Sequence, residues 1–376
     1  MRETGGGPPP PGPANMTVHQ PPGLTPGRSV LRMIIAVDAM GGDHAPRAAV
    51  EGAVRAARED GVGVLLVGDH EAIGRELDLF PSDAGRIEVV HAEEVVGMGD
   101  AAVAAFRHKR RSSVRVCAEL VRAGRAHAMV TAGNTGAAMI AAKMVLGTIP
   151  GVDRPALAAV VPNAGGRTVL LDVGANVDTK PSHLRQFAVM GHFYAQEVIG
   201  TRAPRIGLLS IGEEDSKGTG VTREVFRVLK TTGLNFVGNV EGSDVFNGAT
   251  DVVVCDGFVG NVLLKGAESL ALLLGRMLRE ELRHDARTRL GYLMARPAFD
   301  NLRRRTDYRE YGAAPLLGVG AGCFIGHGRS NARAIHSSIR RAVEFTTADL
   351  AAKIRAKVAE LHSQEERLLG AEQAVV

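Results

Sequence analysis

The hydrophobic pattern alternates short apolar runs with glycine-rich polar turns. Ile34–Val37, Ala126–Val130, Thr168–Leu171, Asn235–Val237 and Val252–Cys255 each read as a buried strand. Each run enters a turn built from Gly, Asn and Asp: Asp38–Asp43, Thr131–Gly136, Asp172–Asp178, Gly238–Gly242 and Asp256–Asn261. GVLLVGD and IEVVHAEEV add two more strands. Helical periodicity lies between them, around Ala45–Glu59, near Glu71–Leu77, and at Ser112–Ala123, Ala137–Val145 and Thr222–Lys230. Strands alternating with helices predict an α/β fold with a parallel sheet covered on both faces.

The rhythm changes after Asn261. Val262–Leu282 is a long helical pattern, Arg283–Arg289 is polar, and Leu290–Phe299 is apolar between arginines. Together they predict a helical protrusion over roughly 265–310. Residues 345–368 form a charged terminal helix with Leu350, Ile354, Val358 and Leu361 on one stripe. Residues 1–32 hold eight Pro and six Gly without apolar periodicity, so they are expected to be disordered. They lack the apolar core of a signal peptide. The organisation expected is an extension at 1–32, a catalytic α/β domain at 33–344, and a C-terminal helix and tail at 345–376.

Composition adds limits. A chain of 376 residues can bury a large core, and 46 glycines suit many tight turns. Cys117, Cys255 and Cys323 are far apart and have no zinc-ligand spacing, which points to a reducing compartment. No apolar stretch is expected to reach the length of a membrane span. Residues 276–310 carry ten Arg against six acids, a surplus equal to the whole net charge of +4. An acidic partner or an anionic membrane surface would account for it, as would a solvated helical face.

Ligands of open α/β sheets bind at the carboxyl ends of strands. Glycine lets backbone N–H groups approach a ligand, and a following helix N-terminus favours an anion. Asp38, Gly41 and Gly42 form the first such turn. Gly133, Asn134, Thr135 and Gly136 are the candidate phosphate cradle; the alternative is a plain strand–helix turn. Asp172, Gly174 and Asn176 precede Lys180, which can hold an anion as a point charge or merely flank a helix cap. Lys217 lies in the acidic Gly212–Gly218 loop. Asn239, Asp256, Gly257 and Asn261 complete the later turns. His327 sits between glycines before Ser330, which is a candidate ligand or a helix cap. Gly97–Ala102 fits a dinucleotide fingerprint, but not in the first strand–helix unit. Ser210 lacks the preceding glycine of a nucleophile elbow, because Leu208 occupies that position. These features point to a site made mostly of backbone, for a small charged substrate.

In order, AVDAMGGDHAP from Ala36, TAGNTGA from Thr131, PGVDRPALA from Pro150 and LLDVGANVDTKP from Leu170 carry a family resemblance. It continues through IGEEDSKG from Ile211, FVGNVEG from Phe236, VVVCDGFVGNVLLK from Val252, YGAAPLLG from Tyr311 and GHGRSNARAI from Gly326. The chain resembles the phosphate acyltransferases of bacterial phospholipid synthesis from about Met33 to about Arg341. One segment departs: Gly99 and Ala102 stand where the family usually has Asp and Pro.

The resemblance implies a three-layer α/β/α sandwich like those of phosphotransacetylases and isopropylmalate dehydrogenases, assembled as a homodimer. It implies transfer of a fatty acyl group from acyl carrier protein to inorganic phosphate, giving acyl phosphate. No cofactor and no metal are implied, and no nucleic acid. The implied location is cytoplasmic, peripherally associated with the inner face of the membrane. Within this reading, Lys180 or His327 supplies charge beside phosphate, and Asn176, Asn239 and Asn261 are oxyanion or carrier-arm donors. Asp38, Asp172 and Asp256 orient neighbours, since a carboxylate repels phosphate. Arg289, Leu290, Leu293, Met294 and Arg296 form the membrane or carrier contact, the alternative being packing within a dimer. Three other functions remain open at this level: acyl transfer between coenzyme A and phosphate, an NAD-dependent decarboxylating dehydrogenase, and a non-catalytic scaffold for the carrier.

Overall fold

Each central strand is apolar on both sides, and its alternate residues serve different layers. Ala36, Leu65, Val67 and Met129 enter one core, whereas Ile35, Val37, Leu66 and Val130 enter another. In the far half of the sheet Leu170 and Val253 continue the first core, while Leu171 and Val254 enter a third. A sheet with helices on both faces is the result.

The computed structural model describes residues 33–80, 84–306 and 312–373. The Pro/Gly-rich 1–32 segment, expected to be disordered, lies outside the described residues. The strands among the described residues are β1 (Ile34–Asp38), β2 (Gly63–Gly68), β3 (Ile87–His91), β4 (Ala128–Thr131), β5 (Ala156–Asn163) and β6 (Gly166–Leu171). They continue with β7 (Ile206–Leu209), β8 (Phe236–Val240), β9 (Val252–Val254), β10 (Ala314–Leu317) and β11 (Gly322–Ile325). All lie in one sheet of order β3-β2-β1-β4-β11-β10-β5-β6-β9-β7-β8.

The sheet is mixed, not parallel. β5 and β6 form a hairpin pairing Ala158 with Leu171, and β10 and β11 form another pairing Ala314 with Ile325. β10 is also antiparallel to β5. These central reversals turn β6, β9, β7 and β8 against the direction of β3, β2, β1, β4 and β11. The strand-end turns therefore belong to two half-sheets of opposite polarity.

Three further expectations change. Gly238 and Asn239 lie inside β8 and not in a turn. Gly238 has φ +113° and pairs with Gly207 where the register shifts, so Val237 is the extra residue of a bulge. The terminal helical pattern is two helices, Ala332–Thr347 and Leu350–Gln373, separated at Asp349 with φ 47°. The predicted stripe holds: Leu350, Ile354, Val358 and Leu361 are all buried.

The protrusion consists of helices Gly257–Glu281 and Ala286–Thr306. The first is long and apolar enough to cross a membrane by length and composition, its 18-residue apolar stretch having mean hydropathy 1.4. That overturns the expectation that no stretch has this length. The helix continues through Lys265 and Glu268, which break the apolar run in sequence but not the helix. Leu270, Leu272, Leu273, Leu274 and Met277 are all exposed along it.

Candidate active site

The first group of turns closes β1, β4 and β11. Asp38 is buried and accepts from Thr131 Oγ1 at 2.7 Å and from the Met40 N–H at 3.2 Å. Burial raises its pKa, against the lowering effect of hydrogen bonds from Ser113, Thr131, Met40 and Gly41. Thr131 Oγ1 in turn accepts from the Gly133 N–H at 3.0 Å. The turns interlock closely: a methyl at Gly41 would sit 2.7 Å from the Gly133 nitrogen and 2.8 Å from an Asp38 oxygen. The Asp43 N–H donates to Gly328 O, and the Gly326 N–H to Thr131 O, each at 2.7 Å. Asp38, Gly41, Gly42, Gly133, His327 and Ser330 are thus brought together.

Two side chains of this group have local duties. Asn134 Oδ1 caps the Thr135–Ala141 helix by accepting from the Ala137 N–H at 3.0 Å. Its Nδ2 donates to Gly97 O, Met98 O and Asp100 O at 3.0–3.2 Å. The Asn134 amide is therefore not free for phosphate, which corrects that part of the cradle. Thr135 and Gly136 occupy the first positions of the helix, where N–H groups have no intrahelical partner. Ser330 Oγ donates to His327 O at 2.6 Å, so it braces its own turn.

The loop tied to Asn134 is the one that departs from the family pattern. A methyl at Gly136 would lie 2.9 Å from Ala102 Cβ, so Ala102 packs directly on the cradle.

His327 Nδ1 accepts from the Arg329 N–H at 3.1 Å, which places the proton of the neutral ring on Nε2. Its pKa is lowered, first by burial and next by the Lys265 ammonium; Glu268 opposes this. In the sequence Lys265 reads as helix surface. It lies eight residues beyond Gly257, about 12 Å along the helix axis. The helix that begins at the second group thus reaches the first.

The second group closes β6 and β9. Asp172 is fully buried. Its Oδ1 accepts from the N–H groups of Leu157, Gly174 and Ala175 at 3.0–3.2 Å. Its Oδ2 accepts from Asn176 N at 2.7 Å and Asn176 Nδ2 at 2.9 Å. Burial nonetheless raises its pKa. Asn176 Nδ2 also donates to Pro155 O at 2.8 Å, so both of its amide hydrogens are used. Asn176 is a positioning residue and not an oxyanion donor. Gly257 donates to Asn176 O at 2.7 Å, and Gly260 abuts Asp172 O. Asp256 caps the long helix through the Val259 N–H at 2.9 Å.

Asn261 stands opposite Gly174, is exposed, and makes no side-chain hydrogen bond among the described residues. It is the asparagine free to meet a ligand. Lys180 is the exposed N-cap of helix Pro181–Tyr194.

Lys217 and Asn239 form a third group, where Asn239 Nδ2 donates to Glu214 O at 2.8 Å and Lys217 lies 3.8 Å from Glu214. Asn239 Oδ1 is buried without a partner. Arg289, Leu290, Leu293, Met294 and Arg296 lie apart on the exposed Ala286–Thr306 helix, with Met294 79% exposed.

The cysteines are poor nucleophiles. All three are buried; burial lifts the Cys117 and Cys255 thiols well above their usual range and pushes Cys323 up to about 12.

Backbone N–H groups, buried orienting carboxylates and peripheral cations gather at these turns. Residues 33–353 match the family described as fatty acid synthesis protein. A phosphate acyltransferase of Geobacter sulfurreducens is 54% identical over 313 residues, covering 83% of this chain and 90% of that protein. One from Trichlorobacter lovleyi is 51% identical over 328 residues, covering 87% and 95%. Among solved structures, a phosphotransacetylase from Streptococcus pyogenes aligns with TM-score 0.60 at 16% identity, covering 84% of this chain and 94% of that one. The EutD phosphotransacetylase from Staphylococcus aureus aligns with TM-score 0.57 at 14% identity, covering 85% and 97%. These likenesses confirm the α/β sandwich. The chain belongs to the phosphate acyltransferase family and is an acyltransferase.

Proposed function

We propose that the protein transfers a fatty acyl group from acyl carrier protein to inorganic phosphate, supplying acyl phosphate for phospholipid synthesis. A phosphate oxygen attacks the thioester carbonyl carbon. The C–S bond then breaks, and the carrier leaves as a thiolate that takes up a proton. Phosphate is already anionic at neutral pH, so it needs positioning and partial desolvation more than a strong base. The observation that carries this reading is the Asp38–Thr131–Gly133 interlock. It fixes the turn that leads into the Thr135–Ala141 helix, whose first N–H groups lack intrahelical partners, and His327, with Lys265 acting on it, belongs to the turn packed alongside. Asn261 is the best placed donor for the developing oxyanion or the carrier arm.

The basic, apolar protrusion supports a carrier or membrane partner over coenzyme A alone. Leu290, Leu293 and Met294 are exposed beside Arg289 and Arg296, which suits shallow insertion at an anionic inner membrane surface. The same exposed face can pack against a second copy in a homodimer. Mass detection of acyl phosphate from acyl-acyl carrier protein and phosphate tests the reaction. An equal or faster rate with acyl-coenzyme A would favour the phosphotransacetylase-like alternative.

A further inference from the structure

We propose that the seat of the C-terminal helix Leu350–Gln373 is a pH-sensitive latch. A proton taken up by His192 loosens that helix and, with it, the Gly151–Pro155 segment beneath. The latch goes beyond the acyl-transfer reading and does not depend on it.

The seat is an antiparallel helix pair. Ile354, Val358 and Leu361 share one buried core with Leu184, Phe187 and Ala188 of helix Pro181–Tyr194. Lys353 Nζ meets Glu197 Oε2 at 2.6 Å, just past the end of that helix. Further along, a methyl at Gly151 would lie 3.0 Å from Val358 Cγ1. Gly151 O accepts from Gln186 Nε2 at 3.0 Å, so this second tie is anchored nearer the start of the same helix. The terminal helix therefore runs from Glu197 back toward Gln186, and His192 lies between the two ties. Lys357, four residues or about 6 Å beyond Lys353, falls at its level.

His192 has room for a neutral ring and not for a charged one. Its Nδ1 is buried and has no hydrogen-bond partner among the described residues. With protons on both ring nitrogens, Nδ1–H would be a buried donor without an acceptor. The Lys357 side chain is only 18% exposed, and its ammonium donates to Glu360 at 2.9 Å. A protonated ring would add a second cation beside it in a half-buried interface. Burial, and next the Lys357 ammonium, hold the His192 pKa below the ordinary histidine range, while Gln196 and Glu197 oppose them. The contribution of such a histidine to stability is present above that range and is lost as pH falls through the lowered value.

The other elements packed on this helix leave the titration to His192. Helix Gly220–Leu229 turns Val225, Phe226 and Leu229 into the shared core, and its Arg223, Glu224 and Arg227 are exposed. Strands β6 and β9 supply Leu171, Val252 and Val254. The Arg341–Glu344 pair of helix Ala332–Thr347 acts on Tyr194. On the terminal helix itself His362 is a further titratable group, beside Gly151.

Release of the terminal helix reaches the site through what it covers. Ile149 and Val152 lie in the same core as Val358 and Leu361. The Asp153 N–H donates to Gln186 Oε1 at 2.9 Å, and Pro155 O accepts from Asn176 Nδ2 at 2.8 Å. Asn176 belongs to the Asp172 hub, so a loosened Gly151–Pro155 segment bears directly on the second group of turns.

The test is hydrogen exchange with mass detection on the full-length chain at about pH 7.5 and about pH 5, corrected for the intrinsic pH dependence of exchange. Protection in peptides covering 350–363 and 149–155 should fall at least about tenfold at the lower pH, while β1 and β4 stay protected. His192→Gln takes up no proton in this range and should abolish the fall. Lys357→Met removes the neighbouring charge and should shrink it, which keeps the test open if the first variant folds poorly. Protection that does not change with pH would overturn the proposal. So would a loss spread evenly over the chain, a fall that leaves 149–155 protected, or a fall undiminished in both variants.

Discussion

The strand-end turns and the helical protrusion are opposite solutions to exposure. At the turns, two buried aspartates organise backbone N–H groups, and glycines pack so closely that a methyl has no room. Along the protrusion, leucines and methionines face outward, and only Gly257 and Gly260 of the first helix are buried. The difference separates two kinds of consequence. Changes in the turns should damage folding and chemistry together. Changes at the tip should spare both and alter only what the surface touches.

The largest effect is expected at Asp172. Asp172→Ala leaves the N–H groups of Leu157, Gly174, Ala175 and Asn176 without their acceptor. We expect a stability loss of at least about 3 kcal/mol in denaturant titration. A loss below about 1 kcal/mol would mean that the turn holds itself. Gly41→Ala comes next, because the new methyl meets the backbone of the Gly133 turn. It should cost about 1–3 kcal/mol of stability, with kcat/KM falling on the order of 100-fold. Unchanged kinetics would detach the interlock from the reaction.

Asp38 gives a smaller, pH-dependent effect. Burial raises its folded-state pKa above the ordinary aspartate range. Its contribution to stability is therefore fully present below that range and is lost as pH rises through the raised value. Asp38→Asn has no such loss. The stability of the variant relative to wild type should improve with rising pH across this window; a constant difference would show that Asp38 titrates normally. The smallest effect belongs to the tip. Leu293→Glu with Met294→Glu should change stability by less than about 0.5 kcal/mol and leave turnover of soluble substrate within about twofold. Flotation with anionic vesicles should be lost, and flotation that persists would argue against insertion at this tip.

Much of this contrast was legible in the sequence. Short apolar runs ending in Gly, Asn and Asp mark strands and turns because few other residues accept those conformations. The reversal of the half-sheets was not legible. It depends on β5, an alanine-rich run that turns back into a local hairpin with β6 and also pairs antiparallel with β10, which is distant in sequence. The site divides similarly. Its location follows from the turns, but which amides are free does not. Asn134 and Asn176 look like Asn261 in sequence. Only folding brings the Gly97–Asp100 carbonyls to the first and the Asp172 carboxylate with Pro155 O to the second.

The central claim is that phosphate itself attacks the thioester, with no acylated side chain between. Rapid quenching followed by intact-protein mass measurement tests it most directly. With acyl-acyl carrier protein alone the chain should keep its unmodified mass, and acyl phosphate should form only once phosphate is added. An acyl adduct on the protein that builds up without phosphate, and decays to acyl phosphate when phosphate arrives, would contradict it.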